Sequence, residues 1–320
     1  MFKTRVTEKL GIEYPIIGGA MMWLSTPEFV AAMSEAGCCG LLASAMWKTK
    51  DEFRGAVKKV KTLTKKPFGV NLNLFPAMRA IDNSEYLDVI EDEGIRIVES
   101  SGHKAPEELV GRFKKLGLTW IHKCVGLRYA QKAVSLGADM ITVVGFENGG
   151  ATGVLDLGTF VLIPAVASSL KVPVIGGGGV SNGRGLVAAL ALGAEGVIIG
   201  TRFLITDECP IHPNLKQALC KARETDTVLV MRTLGNTHRI WKNQTAEKIL
   251  ELEARKATLD EIVAAAAGAK DKEMFDSGDV QRGTISVGQG IGLIHDQKPL
   301  KEVVLDIMRE AREVAARLSR

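Results

Sequence analysis

One unit recurs over roughly the first 200 residues of this chain: a helix-like pattern, then a glycine, then a short apolar run rich in β-branched residues. The segments "SEAGCCGLLAS", "EDEGIRIVES", "KKLGLTWIHKC", "SLGADMITVVG" and "ALGAEGVIIGT" all have this order. In each, the glycine stands where a helix commonly ends on a left-handed residue. These glycines are Gly37, Gly94, Gly117, Gly137 and Gly193. The repeat therefore predicts a regular alternation of helices and strands.

Three further strands are predicted in "YPIIGGAMM", "KPFGVNLNL" and "KVPVIGGGG", because a proline disfavours helix at the residue before it. The eight predicted strands lie near residues 15–19, 40–43, 68–71, 95–98, 118–122, 139–144, 172–176 and 196–199. Nearly continuous apolar strands that alternate with helices predict a parallel TIM (β/α)8 barrel, an α/β fold. A doubly wound sheet is the alternative, although the first turn, "GGAMMWLST", lacks the GxGxxG fingerprint.

The alternation stops after the eighth predicted strand. Residues 212–290 carry mostly helical patterns, and we expect them to form a helical insertion or lid domain on the active face of the barrel. The segment 297–320 predicts an amphipathic helix with Leu300, Val303, Val304 and Ile307 on one stripe. This helix is expected to complete the barrel domain that residues 1–211 form.

The charge and cysteine content exclude several classes of function. The 41 Lys and Arg residues against 37 Asp and Glu residues give a net charge of +4, which is too small and too evenly spread for nucleic-acid binding. The five cysteines show neither a CxxC motif nor metal-ligand spacing, so we expect no metal and a reducing compartment. The charged N-terminus and the lack of an apolar run of about 20 residues predict a cytoplasmic protein without membrane contact.

Glycines gather after the last two predicted strands, at the end of the barrel where active sites lie. "GGGGVSNGRG" follows the seventh strand, and Gly200 and Thr201 follow the eighth. Consecutive glycines let backbone N–H groups converge on an anion, and a helix that begins near Ser181 or Asn182 adds its N-terminal dipole. The pattern predicts a phosphate site, with a simple tight turn as the alternative.

Other strand ends carry side chains suited to a flat ligand. Asn71 ends the third strand and Lys123 follows the fifth, where an amide and a cation can face the mouth of the barrel. Met21 and its neighbours Ala20 and Met22 follow the first strand and can form an apolar wall. Local capping, solvation and core packing remain alternatives for each residue taken alone.

The longer motifs resemble the nitronate monooxygenase family, also called 2-nitropropane dioxygenase-like, and in particular its branch of bacterial NADH:quinone reductases. These motifs are "PIIGGAMMW", "PFGVNLNL", "IHKC", "GFENGGATG", "VPVIGGGGVSNGRGLVAALALGAEGVIIGTRFL", "ECPIHP" and "ISVGQGIGLI". The resemblance implies FMN in the barrel, with its phosphate on Gly178, Gly179, Gly200 and Thr201. It also implies that Ala20, Met21, Asn71 and Lys123 line the isoalloxazine and ribityl portions, with Gly150 and Gln289 nearby.

The chain departs from the family pattern at one position. Many relatives read "GGHxG" or "AGHPG" where this chain has "GATG", so Ala151 occupies the position of the family's histidine. An alanine cannot accept a proton, and general acid/base catalysis contributes about 10²- to 10⁴-fold. The neighbouring candidates are Thr152, Asn148 and Glu147, although an acid beside glycine turns more often caps a backbone.

Other polar residues could contribute from outside this loop. Alternation along a strand predicts that His122 points away from the mouth if Lys123 points into it. Arg232, His238 and Arg239 in "MRTLGNTHRIWKN" could clamp the phosphates of a dinucleotide or a CoA-like substrate. Ordinary surface charge is the alternative for these three residues.

Together these features predict an FMN-dependent oxidoreductase that acts on small molecules. Hydride would pass from NADH or NADPH to FMN, and electrons would then pass to a quinone or another organic acceptor. The alternatives are nitronate monooxygenation, enoyl-thioester reduction, and a flavin-binding protein with little turnover. The choice of pyridine nucleotide, the acceptor and the oligomeric state, with a homodimer as one option, stay open at the level of sequence.

Overall fold

The computed structural model describes residues 2–75, 82–102, 104–266 and 268–319. Within these ranges, eight parallel strands close into a barrel in the order β1-β2-β3-β4-β5-β6-β8-β9, and β9 pairs with β1 to complete the ring. The strands are β1 (Ile16–Gly18), β2 (Cys39–Ala43), β3 (Phe68–Asn73), β4 (Ile97–Ser101), β5 (Thr119–Cys124), β6 (Met140–Val144), β8 (Val174–Gly177) and β9 (Gly196–Ile199). The predicted TIM barrel is therefore confirmed, and the doubly wound sheet is excluded.

The helices between these strands end where the glycine pattern predicts. All five predicted glycines have positive φ angles, which range from 60° at Gly117 to 109° at Gly137. At Gly137 the left-handed turn lets the backbone N–H donate back to the last turn of the preceding helix. The next strand then begins within three residues, at Met140. Local backbone chemistry thus sets the alternation of helix and strand.

The helices begin at polar caps and present one apolar face to the sheet. The helix that follows β2 begins with a capping box, in which the Thr49 hydroxyl and the Glu52 carboxylate each accept a backbone N–H at the opposite end of the first turn. The helices are α1 (Arg5–Leu10), α2 (Pro27–Glu35), α3 (Lys50–Leu63), α4 (Asn83–Asp92), α5 (Glu107–Lys115), α6 (Leu127–Leu136), α7 (Thr159–Ala167), α8 (Gly183–Ala191), α9 (Thr201–Leu204), α10 (Pro213–Leu219), α11 (Gln244–Ala254), α12 (Leu259–Ala265), α13 (Gly268–Ser277) and α14 (Leu300–Leu318).

The apolar core lies on both sides of the sheet. Between the strands and the helices it contains large buried side chains such as Phe29, Phe53 and Trp120. Inside the barrel, Ile17, Ile121 and other strand residues pack together with residues of α1, which closes the end opposite to the active face. The C-terminal helix α14 packs against α8 and α2, so it occupies the gap in the helical ring after β9. Side chains thus fill the interior of the barrel, and open space remains at the end opposite to α1.

The segment after α9 differs from its prediction. It carries helices α10 to α13, but it also contains an antiparallel pair, β10 (Thr227–Val230) and β11 (His238–Trp241). A third short strand, β7 (Gly150–Ala151), joins this pair from the loop that follows β6. The expectation of a mostly helical insertion was therefore wrong for residues 227–241. We call this three-stranded sheet the cover sheet; the division into a barrel domain and an insertion domain stays a prediction.

Candidate active site

A cavity of about 820 Å³ opens at the carboxyl ends of the barrel strands. Its barrel side is formed by residues that end or follow β1, β3, β5, β8 and β9. Its cover side is formed by the loop after β6, by residues 235–238 and by parts of the segment 271–290. Pockets for cofactors and drug-sized ligands commonly have volumes of about 300–1,000 Å³. The cavity therefore has both the place and the size of a barrel active site.

Most residues that the sequence singles out lie on the wall of this cavity. They are Ala20, Met21, Met22, Asn71, Lys123, Glu147, Asn148, Gly150, Ala151, Gly178, Gly179, Gly200 and Thr201. Gln289 lies just behind the wall, between the lining residues Gly288 and Gly290, and its N–H donates to the carbonyl of Glu147 at 2.9 Å. Thr152 is buried outside the wall, and its N–H donates to the carbonyl of Thr237 at 3.1 Å.

The glycine turn after β8 holds the backbone open toward the cavity. Gly178 and Gly179 have φ angles of 96° and 74°, which glycine adopts without strain. Behind the turn the packing is tight, because a Cβ atom on Gly178 would lie 2.7 Å from Oγ1 of Thr159. Helix α8 then begins after Asn182, whose side chain accepts the N–H of Gly185 at 3.0 Å. The turn therefore presents backbone, not side chains, to a ligand, whereas the N–H groups of Gly183 and Gly185 at the start of α8 donate to the side chains of Glu310 and Asn182.

The donors needed by a phosphate are present beside open space. Within the described ranges, the N–H groups of Gly179, Gly200 and Thr201 donate to no protein acceptor. A Cβ atom built on Gly200 would meet nothing within 4 Å, so this glycine borders the open cavity. The hydroxyl oxygen of Thr201 accepts the N–H of Gly288 at 3.0 Å, which ties the cover side to this turn. These groups fit the phosphate of a nucleotide-like cofactor, and we call them the glycine cradle.

A polar network lies at the ends of three adjacent strands. The register places Asn71 opposite Glu99 and Ser101 opposite Lys123, so their side chains meet at the mouth. The Asn71 amide donates to Oε2 of Glu99 at 2.6 Å and to Oγ of Ser101 at 3.1 Å. Nζ of Lys123 lies 3.4 Å from the same Glu99 oxygen. The Glu99 side chain is 1% exposed, so its charge depends on these two partners.

Glu147, Asn148 and Thr152 are engaged with the backbone of their own loop or its neighbours. The Glu147 carboxylate accepts the N–H of Thr159 at 2.9 Å and its hydroxyl at 2.7 Å, at the first residue of α7. The Asn148 amide donates to the carbonyls of Gly149 and Ala151 at 2.7 and 3.2 Å. Glu147 thus caps a helix, which is the alternative that the sequence left open.

The cover sheet brings a histidine to the position opposite Ala151. Strand β11 pairs antiparallel with β7, and the register aligns His238 with Ala151 and Arg239 with Gly150. Residues 235–238 line the cavity, as do Gly150 and Ala151. Nδ1 of His238 lies 2.9 Å from the carbonyl oxygen of Asn236. An imidazole ring therefore borders the cavity from a distant part of the sequence.

The two arginines of the predicted phosphate clamp have other partners. Arg239 is 3% exposed; its guanidinium donates to the carbonyl of Phe146 and to the hydroxyl of Thr227, and it stacks 4.5 Å from the Phe146 ring centroid. Burial lowers the pKa of Arg239, against the attraction of Glu147 and Asp156. Arg232 pairs with Asp156 through two contacts of 3.1 and 2.8 Å. The clamp hypothesis is therefore wrong for Arg239, which fastens the cover sheet to the loop after β6.

His122 lies on the opposite face of its strand from Lys123, as alternation predicts. It is 1% exposed, and its Nδ1 lies 2.9 Å from Oγ of Ser100, which also accepts the indole N–H of Trp120. Burial, with the charge of Lys123 as a second cause, lowers the pKa of His122 to about 4. The imidazole is therefore neutral at physiological pH and takes no part in the cavity.

Asp271 and Cys124 are ionisable residues of the cavity wall that the sequence did not single out. Asp271 accepts the N–H and hydroxyl of Thr284 at 2.6 and 2.9 Å, and burial raises its pKa to about 6. The Cys124 thiol is also buried, and burial raises its pKa to about 12. Across the described ranges, no group of three or more His, Cys, Asp or Glu side chains is placed to hold a metal ion. No helix in the same ranges is long and apolar enough to cross a membrane.

Comparison with known proteins places this chain among flavoenzymes. A sequence model of the family described as nitronate monooxygenase matches residues 3–87 and 77–310. Among solved structures, FabK from Thermotoga maritima superposes with a TM-score of 0.91 at 34% identity, over 100% of this chain and 99% of that chain.

Two curated relatives have different names. A protein of Rhodococcus jostii (strain RHA1) is 38% identical over 239 residues, which is 74% of this chain, and is named (3aS,4S,5R,7aS)-5-hydroxy-7a-methyl-1-oxo-octahydro-1H-indene-4-carboxyl-CoA dehydrogenase. The match spans 65% of that protein, just under two thirds of its length. A probable nitronate monooxygenase of Staphylococcus saprophyticus is 29% identical over 288 residues, or 78% of this chain and 81% of that protein.

Proposed function

We propose that this chain, which belongs to the nitronate monooxygenase family and is a flavin-dependent oxidoreductase, oxidises NAD(P)H and reduces an organic acceptor with FMN as its cofactor. One observation carries the proposal: the glycine cradle, an apolar wall and a buried cation network all border the same cavity. That combination suits a flat ring that ends in a phosphate. The cavity is also wide enough for a second ligand to lie against such a ring.

The cradle residues Gly179, Gly200 and Thr201 would hold the FMN phosphate through their backbone N–H groups, with Gly178 beside them in the same turn. Ala20, Met21 and Met22 would pack against the ring system, since flexible thioethers adapt to flat aromatic surfaces. Gly150 and Gln289 lie on or behind the facing side. When bound, FMN would supply hydride acceptance and electron transfer.

Lys123 would stabilise the negative charge of a reduced cofactor in the cavity. Its ammonium group lies at the mouth, where its side chain is 22% exposed, and it is held by the buried Glu99 carboxylate. A fixed cation stabilises negative charge that develops nearby, and it does so more strongly where water is excluded. Asn71 adds an amide that keeps the Glu99 carboxylate in place. The network thus orients one positive charge toward the cavity.

The acceptor is best sought in two classes. The sequence resemblance favours a quinone, which can take protons from water after it receives electrons. The name of the Rhodococcus jostii relative, at 38% identity, favours a CoA thioester. A CoA thioester would also suit a cavity that residues 235–238 and parts of 271–290 line on the cover side.

Nitronate oxidation is the second candidate function, and the family match and the relative in Staphylococcus saprophyticus favour it. A nitronate is already an anion, so Ala151 in place of a base does not prevent its oxidation. The cation of Lys123 would attract such a substrate.

Anaerobic stopped-flow spectroscopy separates these functions. Rapid bleaching of the flavin absorbance by NADH or NADPH, followed by reoxidation with a quinone or an enoyl-CoA, is the expected result. Bleaching by an alkyl nitronate alone would favour the second candidate. Bound flavin that neither pyridine nucleotide nor nitronate reduces would contradict both, and would leave a flavin-binding protein with little turnover.

A further inference from the structure

We propose that His238 is the proton-transfer residue of this site, and that the cover sheet supplies it in place of the loop after β6. The inference rests on the proposed flavin-dependent function, because it assigns a role within that reaction. The sequence offers no base at residue 151, and the structure places a histidine directly across the strand pair from it. The cover sheet would thus supply the proton-transfer residue, and the barrel would bind the cofactor.

The strand register fixes which side of the cover sheet His238 occupies. Directly paired residues of an antiparallel sheet point to the same face. Ala151 and His238 are such a pair, and both line the cavity. The 152/237 pair is joined by the N–H of Thr152 and the carbonyl of Thr237. Hydrogen-bonded and non-hydrogen-bonded pairs alternate, so 151/238 is of the second kind, with Cα atoms only about 4.5 Å apart.

The short side chain at 151 leaves room for the imidazole. A histidine at both positions of such a close pair would place two bulky rings side by side. Alanine opposite histidine leaves that space to a single ring, and both residues border the cavity. The pair is therefore compatible with one imidazole serving the site from residue 238.

A carbonyl sets the protonation pattern of this ring. The carbonyl oxygen of Asn236, 2.9 Å from Nδ1, can only accept a hydrogen bond, so Nδ1 carries a hydrogen. In the neutral ring the basic nitrogen is then Nε2, and protonation makes it a donor. A backbone partner on one nitrogen keeps a ring oriented for proton transfer at the other.

Four other ionisable groups of the cavity wall are less suited to this role. Glu147 caps α7, Lys123 is paired with Glu99, and the Cys124 thiol has its pKa raised to about 12. Asp271 has a pKa raised to about 6, but its Oδ1 receives two hydrogen bonds from Thr284. Asp271 is therefore the competing candidate that the experiment must distinguish.

The proton step balances for an acceptor with a carbon–carbon double bond next to a thioester. One carbon of the double bond receives a hydride equivalent, that is, two electrons and one proton, which derives from NAD(P)H. His238 donates its Nε2 proton to the other carbon, so the π bond breaks and two C–H bonds form. NAD(P)H is oxidised, the acceptor is reduced, and His238 regains a proton from water. With a neutral nitroalkane the direction reverses, because His238 takes a proton from carbon and the nitronate forms.

The test compares His238→Asn with the wild type in separate half-reactions. Asparagine can still donate to the Asn236 carbonyl, but it cannot exchange a proton near neutral pH. We expect flavin content and flavin reduction by NAD(P)H to stay within about 3-fold of the wild type. We expect proton-dependent turnover, measured with crotonyl-CoA and with nitroethane, to fall about 10²- to 10⁴-fold. His295→Asn, an exposed histidine outside the cavity wall, is the matched control and should lose nothing.

Rescue distinguishes chemistry from structure. Added imidazole, or a histidine introduced by Ala151→His in the His238→Asn background, should restore at least about 10-fold of the lost rate. The proposal is overturned if neither rescue works, if His238→Asn keeps full rates, or if Asp271→Asn alone abolishes turnover. Turnover of neither probe by the wild type also overturns it, since His238 would then have no proton to transfer. Failure of NAD(P)H to reduce wild-type flavin would instead refute the proposed function.

Discussion

The two sides of the cavity are built by different means. The barrel side is made of strand ends held in parallel register, and it offers backbone N–H groups of the glycine cradle and the network around Lys123. The cover side is made of elements distant in sequence, and it offers polar side chains such as His238 and Asp271. On the proposed function, the barrel side would bind the cofactor, whereas the cover side would select the reaction.

The largest expected effect is the loss of FMN from a barrel-side variant. In Gly200→Val the new side chain enters open space at a φ of −114°, so the fold should tolerate it. The side chain would nevertheless displace the phosphate from its N–H donors, each worth about 1.5–3 kcal/mol to a charged group. We expect FMN affinity to fall at least about 100-fold in a fluorescence titration of the apoprotein.

Gly111→Val provides the matched control, because a Cβ there also meets nothing within 4 Å and the residue lies in α5, away from the cavity. This variant should keep its FMN. Equal FMN affinity in Gly200→Val and the wild type would show that the glycine cradle does not bind the FMN phosphate. The barrel side would then have no assigned role in cofactor binding.

A second effect concerns the buried network of the barrel side. Lys123→Met removes the cation beside the buried Glu99 carboxylate, which keeps its hydrogen bond from the Asn71 amide. Removing one member of a buried ion pair typically costs about 3–5 kcal/mol, and partial exposure of Lys123 reduces this to about 2–4 kcal/mol. Urea unfolding of the apoprotein should show this loss. Lys123→Met combined with Glu99→Gln should recover most of it, and equal losses in the single and double variants would contradict the pairing.

On the cover side, Arg239 provides a smaller test. Arg239→Ala removes the hydrogen bonds to Phe146 and Thr227 and the stacking on the Phe146 ring. We expect a net stability loss of about 2 kcal/mol. Charged hydrogen bonds and buried cation–π contacts are each worth about that much, but removal of the buried charge also relieves its desolvation cost and offsets part of their sum. Limited proteolysis should also cut the loop after β6 faster. Flavin content should change little. A loss of FMN as complete as in Gly200→Val would contradict the assignment of cofactor binding to the barrel side.

The smallest effect is a pH dependence at Asp271. Its pKa of about 6 in the folded state lies above the ordinary value of 3.8, so the folded protein binds more protons than the unfolded chain between these pH values. Stability from this group is therefore present below pH 3.8 and is lost as pH rises through 6. Asp271→Asn should be more stable than the wild type by about 1–2 kcal/mol at pH 7 and equal to it near pH 4.

The contribution of His122 runs in the opposite direction. Its folded pKa of about 4 lies below its ordinary value of 6.5, so its stabilising contribution is lost as pH falls through this window. Because His122 is present in both proteins, it cancels in the difference between Asp271→Asn and the wild type. A stability difference that does not vary between pH 4 and pH 7 would contradict the raised pKa of Asp271.

The barrel was predictable from the sequence because its signals are local. Gly137, for example, ends a helix through its own backbone conformation, and the apolar run that follows is already a buried strand. Since parallel strands all end on one side, Asn71, Lys123 and Gly200 could also be grouped from the order of the strands alone. The strand ends observed differ from the predicted ones by no more than about three residues.

The cover sheet was not predictable by the same reasoning. Strands β10 and β11 have only four residues each, and β7 has two, so none has a periodic pattern long enough to recognise. His238 meets Ala151 through a pairing between residues 87 positions apart, which local spacing cannot encode. The sequence did place His238 in a polar stretch, but the pairing that gives it a role is a tertiary contact.

The most direct test of the proposed phosphate site compares the binding of two ligands that differ by one phosphate. Purified apoprotein is titrated with FMN and with riboflavin, and the ratio of the two dissociation constants is measured. The glycine cradle predicts that FMN binds at least about 100-fold more tightly, and that Gly200→Val abolishes this difference. Equal affinity of the wild type for FMN and riboflavin would contradict the assignment of the cradle.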